Sequence, residues 1–307
     1  MHDLFHSACP RRPVAAACVA GSLALVLTAC GSDAPRTPST PSMSMPPPAS
    51  MPSGGRQSMT SMPSMSGMPT GNGLADRQDG YTLASDTNRL PAGKTATYRF
   101  AITSSSGKPV TVFALDQTKR LHFYAIRSDL TGFQHVHPTM ASDGTWTASL
   151  AALQPGSWRL FTQFMPDTGP GKGQDFVLSR TVTVPGSAPT TALPAPASST
   201  TSDGYTLTLS GDLKAGTASP LTVTVHKDGK PVTDLQPYLD TYAHLTAFHQ
   251  GDEAFAHLHP QTKVNGSHGG PTLDFMTALP ASGNWRLFLQ FQTAGTLHTA
   301  AVTLHVS

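Results

Sequence analysis

Short stretches of this sequence recur in the same order. DGYTL occupies residues 79–83 and again 203–207. GKPVT occupies 107–111 and 229–233. SWRLFTQF at 157–164 is answered by NWRLFLQF at 284–291. Each unit runs to roughly 100 residues, about the size of one immunoglobulin-like sandwich. The 307 residues are therefore expected to form two small related domains rather than one large one. The boundaries read as 76–184 for the first repeat, 185–202 for a Pro-, Ala-, Ser- and Thr-rich linker, and 203–307 for the second repeat.

Within each repeat, short runs of Val, Thr, Leu, Phe and Tyr are broken by Gly, Pro and Asp, and helix signals are nearly absent. This is the pattern of short strands in a sandwich. The expected class is all-β: two tandem immunoglobulin-like β-sandwiches. Strands are expected at 95–102, 110–114, 121–127, 132–137, 144–149, 158–164 and 178–184. Their counterparts are 206–210, 221–226, 243–249, 254–259, 273–278, 285–292 and 299–305. Trp158, Leu160 and Phe164 alternate as core residues do, as do Trp285, Leu287, Leu289 and Phe291.

The repeats also share a histidine pattern. LHFYAIRSDLTGFQHVHP carries His122, His135 and His137, and AHLTAFHQGDEAFAHLHP carries His244, His257 and His259. Neutral imidazole is a leading ligand for copper and zinc. In the second copy, Gly251-Asp252 fits a two-residue turn with Gly first. Counting outward, His244 falls opposite His259, with His257 on the same face and diagonal to His244. Three imidazoles so placed can close on one ion at about 2 Å per bond. Equal spacing sets His122 opposite His137, although the turn 128–131 is less ideal and a one-residue slip would move His122 to the other face. Pro138 and Pro260 end the strands, which puts the expected site near an accessible sandwich end. His298 is a candidate fourth ligand in the second repeat. His268, in NGSHGG, is read as a solvated loop residue, and His226, His249 and His305 as surface residues. Arg159 and Arg286 are expected to snorkel or to pair with a carboxylate such as Asp129 or Asp252.

Arg11 and Arg12 precede an apolar run, 14–27, too short for a confident membrane span. The run ends in Leu27-Thr28-Ala29-Cys30, which resembles the bacterial lipobox. The expectation is a leader over 1–30, lipidation of Cys30 and an extracytoplasmic location, periplasmic or cell-surface, anchored to the membrane through lipid. Loss of Cys9 and Cys18 with the leader would leave no thiol for a disulfide, a nucleophile or a thiolate metal site. The following segment, 31–75, is rich in Pro, Ser, Gly, Thr and Met, and reads as a disordered tether. Seven of the eleven methionines lie in it. Met59, Met62, Met65 and Met68 recur every third residue, and their thioethers are soft donors suited to Cu(I).

Charged residues make up only 12% and the formal net charge is +2, so nothing points to nucleic acid. No nucleophile elbow, HExxH, phosphate loop or dinucleotide fingerprint occurs. No small-molecule substrate is evident, and the chain is expected not to be an enzyme. The reading is a copper-binding lipoprotein, with zinc as a second candidate metal. It would sequester metal or deliver it to a transporter or cupro-enzyme. The alternative is an adhesion or protein-binding envelope lipoprotein with structural histidines.

The stretches HLTAFHQGDEAFAHLHP and NWRLFLQFQTAGTLHTAAVTL resemble uncharacterised bacterial secreted lipoproteins with tandem repeats of this kind, associated with heavy metals. The likeness spans both repeats and implies metal association without an assigned reaction. A looser architectural similarity is to CopC-like and YtkA-like copper carriers. No His follows the lipobox cysteine here, which departs from the CopC type of site.

Overall fold

The computed structural model describes residues 71–307. The leader, Cys30 and the tether methionines Met59, Met62, Met65 and Met68 lie outside the described residues. The first repeat holds β1 (Arg77–Gln78), β2 (Tyr81–Ala84), β3 (Ala96–Thr103), β4 (Leu121–Arg127), β5 (Gln134–Val136), β6 (Thr139–Met140), β7 (Trp146–Leu150), β8 (Gly156–Phe164) and β9 (Phe176–Val184). The second holds β10 (Ser199–Ser202), β11 (Tyr205–Ser210), β12 (Ser219–Lys227), β13 (Lys230–Pro231), β14 (Ala243–His249), β15 (Phe255–Leu258), β16 (Thr272–Thr277), β17 (Gly283–Thr293) and β18 (Thr296–Val306). The described residues are all-β. The first repeat pairs a β1-β2-β3-β7-β6 sheet with a β5-β4-β8-β9 sheet. The second pairs β10-β11-β12-β13, with β16 also on β12, with β15-β14-β17-β18. Each repeat is a β-sandwich.

The outer strands alternate as one-faced strands should. β3 buries Tyr98, Phe100 and Ile102 and turns Thr97 and Arg99 outward. The sandwich cores form around Trp158 and Trp285. Their indole N–H groups donate to the carbonyls of Gln154 and Ala281, which satisfies the polar end of each buried ring. The strands β4 and β14 differ: every residue of β4, and all but the last of β14, is buried. Only burial of both faces of these strands explains that.

A third apolar cluster supplies the second face. Tyr124, Ile126, Leu130, Phe161 and Val177 of the first repeat meet Phe248, Phe255 and Phe288 of the second. Phe133 stacks on Phe288 with centroids 4.4 Å apart, and Phe161 lies 5.1 Å from Phe255 and 5.5 Å from Phe248. The two histidine-bearing sheets are thus packed against each other. Arg159 crosses the junction to Glu253 at 2.6 Å. It does not pair with Asp129, whose partner is Arg127 at 3.3 Å. Arg286 donates to Thr303 Oγ1 and lies over the Phe288 ring.

Two sequence expectations change here. The stretch 110–114 forms no regular strand and is anchored by a bridge between Phe113 and Pro166. The stretch 185–202 does more than connect. Arg127 donates to the Pro189 carbonyl at 2.9 Å, Thr191 N–H donates to Asp129 Oδ2 at 2.9 Å, and Ser199–Ser202 pairs with β11.

Candidate metal centre

The register of each hairpin places the histidines. In β14–β15, Leu245 pairs with Leu258 and Thr246 with His257, so His244 faces His259. In β4–β5, Phe123 pairs with Val136 and Tyr124 with His135, so His122 faces His137. The first turn closes Arg127 on Thr131, one residue out of step with the Ala125–Gln134 pair beyond it. Gly132, at φ 69, takes up the odd residue, so His122 keeps its face. The second turn is wider than two residues: Glu253 N–H reaches the His249 carbonyl, and Asp252 accepts from His249 Nδ1.

His122, His135 and His137 gather with one nitrogen each, all within 4.8 Å of one another, and so do His244, His257 and His259. His122 Nδ1 lies 3.0 Å from His135 Nε2, and His244 Nδ1 lies 3.2 Å from His257 Nε2. Two nitrogens bound to one tetrahedral ion at about 2.0–2.1 Å are about 3.3 Å apart.

The surrounding bonds fix the tautomers. His122 Nε2–H donates to the Asp116 carbonyl at 3.0 Å, and His244 Nε2–H to the Tyr238 carbonyl at 3.1 Å. A carbonyl only accepts, so Nδ1 of each ring carries a lone pair. His135 Nδ1–H donates to Gln290 Oε1 at 2.7 Å, and His257 Nδ1–H to Gln163 Oε1 at 2.8 Å. Nε2 of those rings is then the unprotonated nitrogen. Each close pair therefore sets two lone pairs against each other, an arrangement that calls for a cation between them. The third member adds to this: Nε2 of His137 and of His259 is buried without a hydrogen-bond partner.

A proton is a poor candidate for that cation. His122, His244 and His257 are at most 2% exposed, and burial lowers their pKa values, well below 6.5 for His244 and His257. Burial and neighbouring imidazoles also depress His135. His137 is pushed down to about 3, and His259 to about 4, chiefly by burial. The rings are held neutral, the form that binds metal. The histidine clusters can hold a metal ion.

The location differs from the expected open sandwich end. The site lies between the two repeats, because Tyr124, Phe133 and Phe255 extend the histidine face into an apolar junction. His298 is not part of it. Its nitrogens are taken by Asp203 Oδ2 at 3.0 Å and Thr293 Oγ1 at 3.1 Å, and its ring packs on Tyr205 at 4.7 Å. It pairs across from Phe291 as Phe176 pairs across from Phe164, so it fills a core position. His249 bonds Asp252 and the Ser282 carbonyl, His305 bonds Asn284, and the His268 ring bonds its neighbour Ser267.

Sequence reasoning passed over Gln163 and Gln290, although both stand at the same place in the matched WRLF-x-QF stretches. Gln163 is itself oriented by Asp175 Oδ2 at 2.7 Å, whose carboxyl is raised to about 8 by burial. The accepting carbonyls of Asp116 and Tyr238 come from matched turns, with Gln117 and Thr118 in one and Leu239 and Asp240 in the other at positive φ.

A domain family described as "Domain of unknown function (DUF8832)" matches residues 76–184 and again 199–307. No curated protein matches. Among solved structures, a mutant Salmonella alpha-2-macroglobulin shows 13% identity over 75% of this chain and 16% of its own, at a TM-score of 0.26. Red sea bream transglutaminase shows 12% identity over 75% and 32%, at 0.21. Escherichia coli alpha-2-macroglobulin activated by porcine elastase shows 11% over 74% and 23%, at 0.24. The chain spans at most about a third of the length of each of these structures.

Proposed function

We propose that this chain, which belongs to the DUF8832 family and carries its domain twice, is a copper-binding protein that uses its two histidine triads as ligand sets. The observation that carries this is the pair of opposed lone-pair nitrogens in each triad, 3.0 and 3.2 Å apart, backed by a buried, unpartnered Nε2 on the third ring. Hydrogen bonds from the far side of a ligand ring are the usual second layer of a metal site, and four of the six rings have them. Copper is preferred to zinc because it stands higher in the affinity order for nitrogen donors. Zn(II) fits the same donors.

The rest of the proposal follows the sequence. Cys30 would carry lipid and hold the chain on the outer side of the cytoplasmic membrane or at the cell surface. Met59, Met62, Met65 and Met68 would supply thioethers for Cu(I). The role would be to sequester copper or to pass it to a transporter or cupro-enzyme. An adhesive role draws less support, since large exposed apolar side chains among the described residues are limited to Val112, Leu115 and Leu297.

Titration of the full-length chain with Cu(II), Cu(I) and Zn(II) tests this. The variants are His122→Ala with His135→Ala, His244→Ala with His257→Ala, and a chain with the four tether methionines replaced by Ser. Loss of about one ion with each histidine pair supports the reading. Binding that ignores both pairs removes it.

A further inference from the structure

We propose that the two triads work as one dinuclear centre, each completed by the other repeat. This rests on the metal reading above and adds that two ions lie side by side and interact.

The rings of the two triads lie close together across the junction. Ring centroids within a triad are 5.3 Å apart for His122 and His135 and 5.5 Å for His244 and His257. Across the junction, His122 is 5.6 Å from His257 and 6.4 Å from His244, and His135 is 5.9 Å from His244 and 6.0 Å from His257. The inner four rings lie 5.6–6.4 Å apart between repeats, only slightly farther than the 5.3–5.5 Å within them. Yet each triad keeps its own opposed nitrogen pair and its own unpartnered Nε2, which makes two ion positions and not one.

The two repeats also exchange glutamines. Gln290 of the second repeat accepts the His135 proton, and Gln163 of the first accepts the His257 proton. Without the partner repeat, each of these rings would lose the bond that keeps its proton on Nδ1. A proton on Nε2 would point at the ion position. The glutamines are positioning residues for a site in the other repeat.

Tyr124 stacks on His135 at 4.4 Å, and the Phe255 ring lies 4.9 Å from Tyr124. Charges beside such apolar walls interact more strongly than in water.

Stepwise addition of Cu(II) to the full-length chain, followed by native mass spectrometry and electron paramagnetic resonance, tests the proposal. Rim variants His137→Ala and His259→Ala each disable one triad while leaving the buried inner rings in place. The wild type is expected to take two histidine-dependent ions and to show, at two equivalents, a half-field transition and a broadened main signal. Each rim variant should take one and show neither feature. In the His259→Ala chain, Gln290→Leu should weaken the remaining ion about 10–100-fold. Gln290→Glu should restore it, because a carboxylate accepts the same proton. Two ions whose spectrum is the sum of the single-triad spectra would overturn the dinuclear centre and leave the metal reading intact. So would one ion spanning both triads, or a Gln290→Leu chain that binds as before. No histidine-dependent ion would end both.

Discussion

His298 and His257 show how little a residue type settles alone. Both lie on strands and both are buried. His298 has its two nitrogens occupied by Asp203 and Thr293. His257 has one nitrogen fixed by Gln163 and the other turned toward His244. The first is a packing residue, while the second keeps a nitrogen with which it could hold a metal ion. His298→Phe should therefore leave metal stoichiometry unchanged. It should cost about 1 kcal/mol, the net worth of a typical hydrogen bond, because Phe176 holds the matching place in the first repeat. Chemical denaturation and metal titration of that variant check both halves. The triads were legible in the sequence because their spacing occurs twice and period-2 alternation assigns faces. His298 was misread because Asp203, which takes its Nδ1, lies 95 residues away in the chain.

At the scale of elements, hairpin register was legible and turn chemistry was not. Both hairpins align their histidines as counting from the turn predicts, yet the first does so by a bulge. A Cβ on Gly132 would come 2.3 Å from the Trp158 ring, and its φ is 69. Gly132→Ala should therefore cost about 2–4 kcal/mol, strain and overpacking together, and weaken binding at the first triad. Gly251 also has positive φ, but a Cβ there meets open space. Gly251→Ala should cost about 1–2 kcal/mol and leave the second triad's affinity unchanged. Thermal unfolding and metal titration of the pair separate the two cases; equal costs would contradict the bulge account. The turns that present the Asp116 and Tyr238 carbonyls were hidden in the sequence. Their positive-φ residues, Gln117, Thr118, Leu239 and Asp240, are not the Asn-Gly or Asp-Gly pairs that announce such turns.

For the whole molecule, the packing of one repeat on the other could not be read from one chain's periodicity. Alternation marks a buried face without saying what covers it, and β4 and β14 look alike whether the second face meets water or a partner. Phe248 is fully buried in that junction. Phe248→Ala should cost about 3–5 kcal/mol and weaken both triads together, in contrast to the one-sided rim variants. The metal-free protein should also be acid-sensitive. His259, held at about 4 in the folded chain against 6.5 unfolded, takes up its proton in the unfolded state first, so stability falls as pH drops below about 6.5. At pH 5 that amounts to about 2 kcal/mol from this group, with the other depressed histidines adding in the same direction. Asp175, raised to about 8, works the opposite way: its contribution is lost as pH rises from 3.8 through 8. Six histidines outweigh one carboxyl, so stability measured by denaturant titration should climb from pH 5 to about 6.5. Bound metal should flatten that climb. A profile that is flat without metal would contradict the buried neutral cluster.

The most direct measurement is X-ray absorption at the metal edge of the full-length chain loaded with Cu(II), and separately with Zn(II), in a variant whose four tether methionines are Ser. The account predicts a first shell with three imidazole nitrogens per ion at about 2.0–2.1 Å, lost on removal of His122 and His135 with His244 and His257. A first shell of oxygen without imidazole, unchanged by those substitutions, would contradict it.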